Sequence, residues 1–447
     1  MEELKLEIIR KLIDEGGEGV AELLRIVEDT HPADLADIVE QLSEGERTVF
    51  FGLMPAEIAS QTLAEVREES QEELIRALDD QTLQEVFEEL PDDDATDIVQ
   101  ELSEQEADRV LSVIDTEDRR EIQTLMRYPE ETAGGVMTTE IVSVELHMTA
   151  AEAIREVRRQ GQEIEFFGVY VVDSKNRFQG MVTMRDLILA DPELEIVEVM
   201  DTDVVTVPPD MDQEEVARLL ARYNQVSMPV VERERGRLLG RVTVDDVMDI
   251  MEQEVTEDLF RMSGVDEEES VETVGILHSV RSRLPWLCLN LMLLFVSAQI
   301  IRLYIYVIDS EVILAMFLPV VAGIGGNTST QSLAVTLRRL MLDGSFRGRK
   351  RRVLVHETVV GLMNGMAVSV LVFGLVFVIQ GDTKMGLIVA LASWISMTLA
   401  GFIGAFIPLG LRTMGFDPTV SSSVVQNFTD ILGFFLLLGL SALLLLN

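Results

Sequence analysis

Cysteine occurs once in this chain of 447 residues, at Cys288, and histidine four times, at His31, His147, His278 and His356. A single thiol excludes a disulfide framework and a cysteine metal cluster, and four scattered imidazoles make no zinc motif. The pair His356-Glu357 lacks the second histidine that a zinc-protease helix requires. Basic residues are also scarce, 36 Lys and Arg against 78 Asp and Glu. Met1 to Gly19 reads as a charged helix without the apolar core of a secretory signal, so residues 1–283 are expected to stay in the cytosol. Nor is there a nucleophile–base pair or a phosphate-cradling glycine loop. No enzyme reading survives.

The acids are unevenly placed. Seven of the 78 lie from Leu284 onward together with ten of the 36 bases, which leaves 71 acids against 26 bases before it, a net of −45, and +3 after it. A region this negative excludes nucleic acid as a partner, because phosphates need neutralising cations. It repels itself unless screened, and a divalent cation screens best.

From Leu284 the chain turns apolar in five runs, roughly Leu284–Val307, Val312–Leu337, Val353–Ile379, Gly386–Leu411 and Val420–Leu446. Each is long enough to cross about 30 Å of hydrocarbon, so the expectation is an all-α membrane domain of five transmembrane helices. The second loop carries Arg338, Arg339, Arg347, Arg349, Lys350, Arg351 and Arg352, and the first carries two acids and no base. Positive residues stay inside, which gives a cytosolic N-terminus and an outer C-terminus in the inner membrane.

The last run contains Asp430. A carboxylate at bilayer depth marks an ion or proton path by default, and the plainer reading is a hydrogen bond to Asn or Thr on a neighbouring helix. A two-fold axis would bring two copies together and supply two charges for one divalent ion. Magnesium is commonly held by one or two carboxylates plus its own waters, and Gln426, Asn427 and Thr429 offer neutral oxygens nearby. Gln426, Thr429 and Gly433 fall on roughly one helical face. The second run holds GIGGNTSTQS, Gly323 to Ser332, with Asn327 at its centre. Such a polar stretch either lines a cavity or packs helices through small residues. Gly361 to Gly365 reads as packing of the second kind.

Two repeats organise the cytosolic part. Residues 34–129 show a period near 24, with units beginning at about Asp34, Glu57, Thr82 and Glu106, and ADIVEQLSE (Ala36–Glu44) resembling TDIVQELSE (Thr96–Glu104). Short amphipathic helices broken at Pro55, Pro91 and Pro129 predict an α-helical repeat superhelix. Its charged run Asp92-Asp93-Asp94 reads as a solvated face. In the second repeat, MTTEIVSV (Met137–Val144) matches MDTDVVTV (Met200–Val207), and GMVTMRDLI (Gly180–Ile188) matches GRVTVDDVM (Gly240–Met248). Each copy predicts strand, helix, two strands, helix. Here the chain resembles a tandem pair of CBS domains, an α/β fold that commonly senses adenine nucleotides or ions. Glu254 to Leu287 then reads as an acidic helix, a polar stretch and a second helix entering the membrane at Pro285-Trp286, either a mechanical connection or a passive linker.

Acidic helical repeats, tandem CBS, EVTEDLFRMSGV, LPWL, a GGN-containing second span and an FDP…FTD final span together resemble the MgtE family of magnesium channels. The resemblance covers nearly the whole chain. It implies a multidomain protein: an N domain over 1–132, CBS domains over 133–253, a connecting helix over 254–283 and a membrane domain over 284–447. It further implies a lipid-embedded homodimer importing magnesium and closed by cytosolic magnesium. Asp430 matches the family's pore aspartate. Asp246 and Asp249 match sensor ligands, Glu254, Glu257 and Asp258 the acidic junction, and Asp212, Glu214 and Asp417 further regulatory positions. Arg185 and Asp186 match positions where some members bind ATP, an ordinary strand-end Asp being the plainer reading. Three departures stand out: Asn224 replaces a sensor aspartate, Ser422-Ser423 replaces a Pro-containing step, and Ser329 replaces a small residue of the GGN motif. The rival mechanism is a proton- or sodium-coupled divalent transporter with Asp430 as the proton site.

Overall fold

The computed structural model describes residues 2–15, 19–162, 164, 166–263, 265, 276–342, 350–419 and 422–445. The chain forms two compact units, Met1–Glu252 and Gln253–Asn447.

Unit one opens with α1 (Glu2–Glu15) and α2 (Val20–Glu28), followed by eight short helices. These are α3 (Pro32–Gln41), α4 (Glu44–Phe51), α5 (Ala56–Glu65), α6 (Glu68–Ala77), α7 (Asp80–Phe87), α8 (Asp92–Glu101), α9 (Glu104–Val113) and α10 (Thr116–Leu125). Odd members start at positions 32, 56, 80 and 104 and even members at 44, 68, 92 and 116, so the 24-residue unit holds throughout. The matched nonapeptides seen in the sequence belong to an odd helix, α3, and an even one, α8. The repeating element is therefore a helix with its turn, and two of them make a unit. Proline sets boundaries rather than kinks: Pro55 and Pro91 are the N-cap residues of α5 and α8, where a missing N–H is harmless. α3, α5, α7 and α9 stack on one another, as do α4, α6, α8 and α10, over a core that includes Leu35, Phe50, Leu63, Ile75 and Leu83.

The CBS module follows. Its first copy has β1 (Ser143–Glu145), α11 (Ala150–Gln160), β2 (Gly168–Val172), β3 (Phe178–Thr183) and α12 (Met184–Leu189), in the sheet order β1-β2-β3. Thr149 and Glu152 cap α11 reciprocally. The second copy has α13 (Gln213–Tyr223), β4 (Ser227–Val231), β5 (Leu238–Thr243) and α14 (Val244–Ser263). The expected first strand of this copy is reduced to a single parallel bridge, Val207 to Val230. Pro208 and Pro209 follow at once, and neither can donate to a ladder.

The copies interlock. Thr138, in the leading segment of the first copy, bridges Arg241 on β5, whereas Asp201, in that of the second, bridges Met181 on β3. Gly180 and Gly240 are the equivalent positions that allow this approach: a Cβ would lie 2.4 Å from the Asp201 carbonyl oxygen in one and 2.6 Å from that of Thr138 in the other. Tyr170 Oη and Ser227 Oγ share a buried hydrogen bond of 2.8 Å across the pair.

Unit two contains α15 (Ile276–Leu303), α16 (Ile305–Ser310), α17 (Leu314–Leu342), α18 (Lys350–Gln380), α19 (Thr383–Met414) and α20 (Ser422–Leu445). By length and composition, four stretches among the described residues suit a membrane crossing: α15, α18, α19 and Val424–Leu445 of α20. α17 is 29 residues long, but the polar run after Gly326 dilutes its apolar character. The expected five spans thus divide into four plainly apolar helices and one polar one. α15 begins eight residues before the expected span at Leu284 and runs through Pro285 without a break. It stops at Leu303, and the rest of that span belongs to α16. The segment 266–275, Arg347 and Arg349 lie outside the described residues.

α18 and α19 pack through glycine, as expected for Gly361 to Gly365. A Cβ on Gly361 would meet the Met397 carbonyl oxygen at 2.6 Å, and one on Gly401 would meet that of Glu357 at 2.6 Å.

Gly180→Ala and Gly240→Ala should each destabilise unit one by about 1–3 kcal/mol, because the obstructing atom is backbone. Thermal unfolding checks this, and unequal effects would contradict the equivalence of the two crossings.

Candidate functional site

Two carboxylate sites stand out, one in each unit. In unit one, α8 opens on Asp92, Asp93 and Asp94, a placement favoured by the positive end of the helix dipole. These side chains were expected to face solvent. Instead Asp92 and Asp93 are 9% and 7% exposed. Thr139 Oγ1 donates to Asp92, and Asp93 Oδ1 is buried without a hydrogen-bond partner among the described residues.

Around them the structure gathers acids from α8, α10, α14 and the segment ahead of β1. Burial is the first cause of every rise that follows, and neighbouring carboxylates add to it. Asp93 stands well above the usual carboxylate range, with Asp246 and Asp94 beside it. Asp94 is pushed up to about 6, helped by Asp246, Asp245, Glu65 and Asp249. Asp97, open to solvent at its edge, is pushed to about 7 by its packed surroundings and then by Asp94 and Asp246. Glu121 and Glu140 also reach about 7, each with Asp92 as the leading charged neighbour. Asp246 and Asp249 are raised as well.

Asp246 is the hinge of this cluster. Its Oδ2 accepts from Thr243 N at 3.0 Å and Thr243 Oγ1 at 2.6 Å, which aims the carboxyl from the first turn of α14. In the first copy the same pattern caps α12, with Thr183 Oγ1 donating to Asp186 Oδ2 at 2.7 Å. Asp186 and the adjacent Arg185 are exposed.

Asp212 and Glu214 have other partners. Asp212 caps α13 by accepting from Glu214 N at 3.0 Å, and Glu214 pairs with Arg218 at 2.8 Å. Asn224 closes the same helix with φ 51°. Asn tolerates this left-handed cap well, a local reason for the residue found there.

Among the described residues no group of three or more His, Cys, Asp or Glu forms a ready metal cage. Magnesium does not require one, since one or two carboxylates and its own water shell suffice. The orphaned Asp93 oxygen and its anionic surroundings fit such a hydrated dication.

In unit two, Asp430 on α20 faces the glycines of α17. A Cβ on Gly326 would lie 3.3 Å from Asp430 Oδ1 and 3.6 Å from Gln426 Cγ. Among the described residues no ion-pair or hydrogen-bond partner is seen for this carboxylate. α17 runs unbroken through its polar segment. Gly325 and Gly326 are buried against neighbouring helices, and Asn327 is exposed. Thr429 is 1% exposed; its hydroxyl donates to the Gln426 carbonyl at 2.8 Å and lies 3.2 Å from Ser329 Oγ. Asn427 Nδ2 donates to Asn290 Oδ1 on α15 at 3.1 Å, and Gln426 is exposed. Among the described residues, the hydroxyls of Ser393 and Ser396 on α19 are buried without a hydrogen-bond partner, and Ser396 Oγ stands 2.7 Å from where a Gly325 Cβ would be.

A second acid lies within α18. Glu357 is 5% exposed and, unlike Asp430, is neutralised by Arg339 at 3.5 Å and contacts His356 at 3.0 Å. It lies about two turns inside α18, whose first residues Lys350, Arg351 and Arg352 are basic. Glu254 and Asp258 are half-buried on the second half of α14 and carry polar contacts of their own. Glu257 and Asp417 both pair with Arg261.

Residues 30–131 match the MgtE intracellular N domain, 133–193 and 196–253 match CBS domains, and 318–440 match MgtE, a divalent cation transporter family. The magnesium transporter MgtE of Thermus thermophilus is 35% identical, with 100% of this chain and 99% of that protein covered. The Bacillus subtilis magnesium transporter MgtE is 30% identical over 98% and 97%. A crystal structure of the cytosolic domain of the Mg2+ channel MgtE in complex with ATP is 38% identical, with a TM-score of 0.52, and covers 55% of this chain and 99% of that one.

The raised carboxyls bind protons more tightly folded than unfolded. Their contribution to stability is complete below about pH 4 and is lost as pH rises through 6–7. In EDTA, the thermal midpoint of unit one should therefore fall by several degrees between pH 5 and 8, and magnesium at pH 8 should restore it. A midpoint flat in pH and indifferent to magnesium would contradict the cluster.

Proposed function

The chain is a member of the MgtE family, and from that membership we propose that it is a magnesium channel of the inner membrane, closed when cytosolic magnesium binds its acidic domains. The family is one of transporters, not of enzymes, and the multi-pass character of unit two agrees with it. The observation that carries the reading is Asp430: a carboxylate in an apolar helix, facing Gly326, without a basic neighbour among the described residues.

One chain supplies one such group. Two copies related by a two-fold axis supply two, matching the charge of a hydrated dication and leaving its waters to be met by Gln426, Asn427 and Asn327, while Thr429 is buried against Ser329 behind them. The contrast with Glu357 supports the assignment, since a neutralised acid attracts no cation. Proton or sodium coupling would instead make Asp430 a site that is neutral for part of a cycle.

Regulation rests on unit one. Asp93, Asp94, Asp97 and Asp246 repel one another, and that repulsion opposes the packing of α8 toward α14. A bound dication supplies positive charge there and favours the packed state by its tighter affinity for it. Asp249 adds to this site, and Glu254, Glu257, Asp258 and Asp417 form the junction site. Asp212 and Glu214 take part by exchanging their present partners. Ligand binding and closure are linked because α14 carries carboxylates of both sites along one helix. Arg185 and Asp186 are the proposed contacts for ATP in the CBS module. The N-terminus lies in the cytosol and the C-terminus outside.

At an effective dielectric near 20, one charge about 4 Å from another is worth several kcal/mol. Asp430→Asn should therefore lower magnesium uptake into proteoliposomes about tenfold or more, and Gly326→Ala should lower it by crowding the carboxylate. Uptake by Asp430→Asn at the unaltered rate would overturn the pore assignment. Uptake driven by an imposed proton or sodium gradient alone would favour the coupled mechanism.

A further inference from the structure

The C-terminal end of α14 is docked on the helix ends of unit two by a cation rather than by apolar contact alone. Arg261 forks between two acids: one guanidinium nitrogen pairs with Glu257, a turn earlier on the same helix, and Nη1 lies 3.1 Å from Asp417 Oδ2, in the turn between α19 and α20. Asp417 is held in place for this. Gly415 ends α19 in the left-handed conformation (φ 82°), and Asp417 Oδ1 accepts from Thr419 N at 2.8 Å. The contact continues on either side. The Ser422 hydroxyl donates to the Met262 carbonyl, and Met262 packs on Leu333, Leu337, Leu340, Val353 and Leu409.

Glu257 and Asp417 are the carboxylates assigned above to a regulatory dication, and Arg261 already pairs with both, cancelling one of their two charges. We propose that Arg261 is a resident counter-cation: it holds these carboxylates together in the metal-free chain, and magnesium occupies them only by releasing the guanidinium. The competition follows from charge. Two carboxylates and one guanidinium present a net charge of −1 to an arriving dication, against −2 without the arginine. Arg261 therefore sets the magnesium concentration at which the junction responds. A guanidinium suits this role because its planar fork spans two acids that a single ammonium meets less well. The pair is partly exposed, with Arg261 at 45% and Asp417 at 31%, so its strength is that of a screened contact and displacement is feasible.

This rests on the regulatory reading of Glu257 and Asp417, and the test separates the two. The full-length chain in detergent is titrated with magnesium chloride, and protection of α14 from a protease is followed, a readout independent of flux. In Arg261→Gln the midpoint should fall about three- to fivefold, the size of a screened ion pair, and Arg261→Lys should lie between it and the unaltered chain. The shift should vanish when Arg261→Gln is combined with Glu257→Gln and Asp417→Asn, because both carboxylates that the guanidinium pairs with are then uncharged. An Arg261→Gln midpoint that is unchanged or higher would overturn the counter-cation role, as would a shift that persists in the combined variant. If the unaltered chain shows no magnesium-dependent protection, the regulatory reading fails and this inference fails with it.

Discussion

Like-charge repulsion between buried carboxylates is the constraint on which unit one is built. Packing α8 near the start of α14 brings Asp93, Asp94 and Asp246 out of water and close to one another. Both burial and proximity disfavour the charged forms, which is why Asp94 stands at about 6 and Asp97, Glu121 and Glu140 at about 7. A protein selected only for stability would replace such groups by apolar ones. Their presence makes sense if the packed state is conditional. Near neutral pH, protons and dications are alternative means of removing the same charge.

The membrane unit treats charge differently. Glu357 is neutralised on the spot by Arg339, so it contributes a tie between α17 and α18. Asp430 has glycine across from it instead, and the glycines keep α17 near without supplying charge. Behind this face, Ser329 and Thr429 satisfy their hydroxyls within their own helices, and Ser332 donates across to the Gly401 carbonyl on α19 at 2.8 Å. The carboxylate thus presents its charge on that face with no ion-pair partner among the described residues.

Much of this was legible in sequence because repetition leaves a trace. The pairs MTTE/MDTD and GMVT/GRVT identified the CBS copies, and the structure adds that each leading segment bridges the other copy, through Thr138 and Asp201. The 24-residue period was visible too, but not its division into two stacked helices. Four features could not be read. Asp92 to Asp94 look solvated in sequence, since a run of acids carries no sign of what will fold over it. Val205 to Val207 alternate as a strand should, yet Pro208-Pro209 denies them a ladder. Glu357 lies inside an apolar run but finds Arg339, which a hydropathy pattern cannot anticipate. Ser393 and Ser396, buried beside the α17 glycines, were likewise silent, because serine in an apolar helix is unremarked until its neighbours are known.

The account turns on carboxyls that are partly protonated near neutral pH and give up those protons to make room for a dication. Metal binding to such groups must release protons. The direct test is to add magnesium chloride to the weakly buffered full-length chain and measure the proton yield at several pH values. The account predicts release on the order of one proton or more per chain near pH 6.5, falling toward zero at pH 9, where the groups are already ionised. Saturating magnesium binding without proton release near pH 6.5 would contradict it.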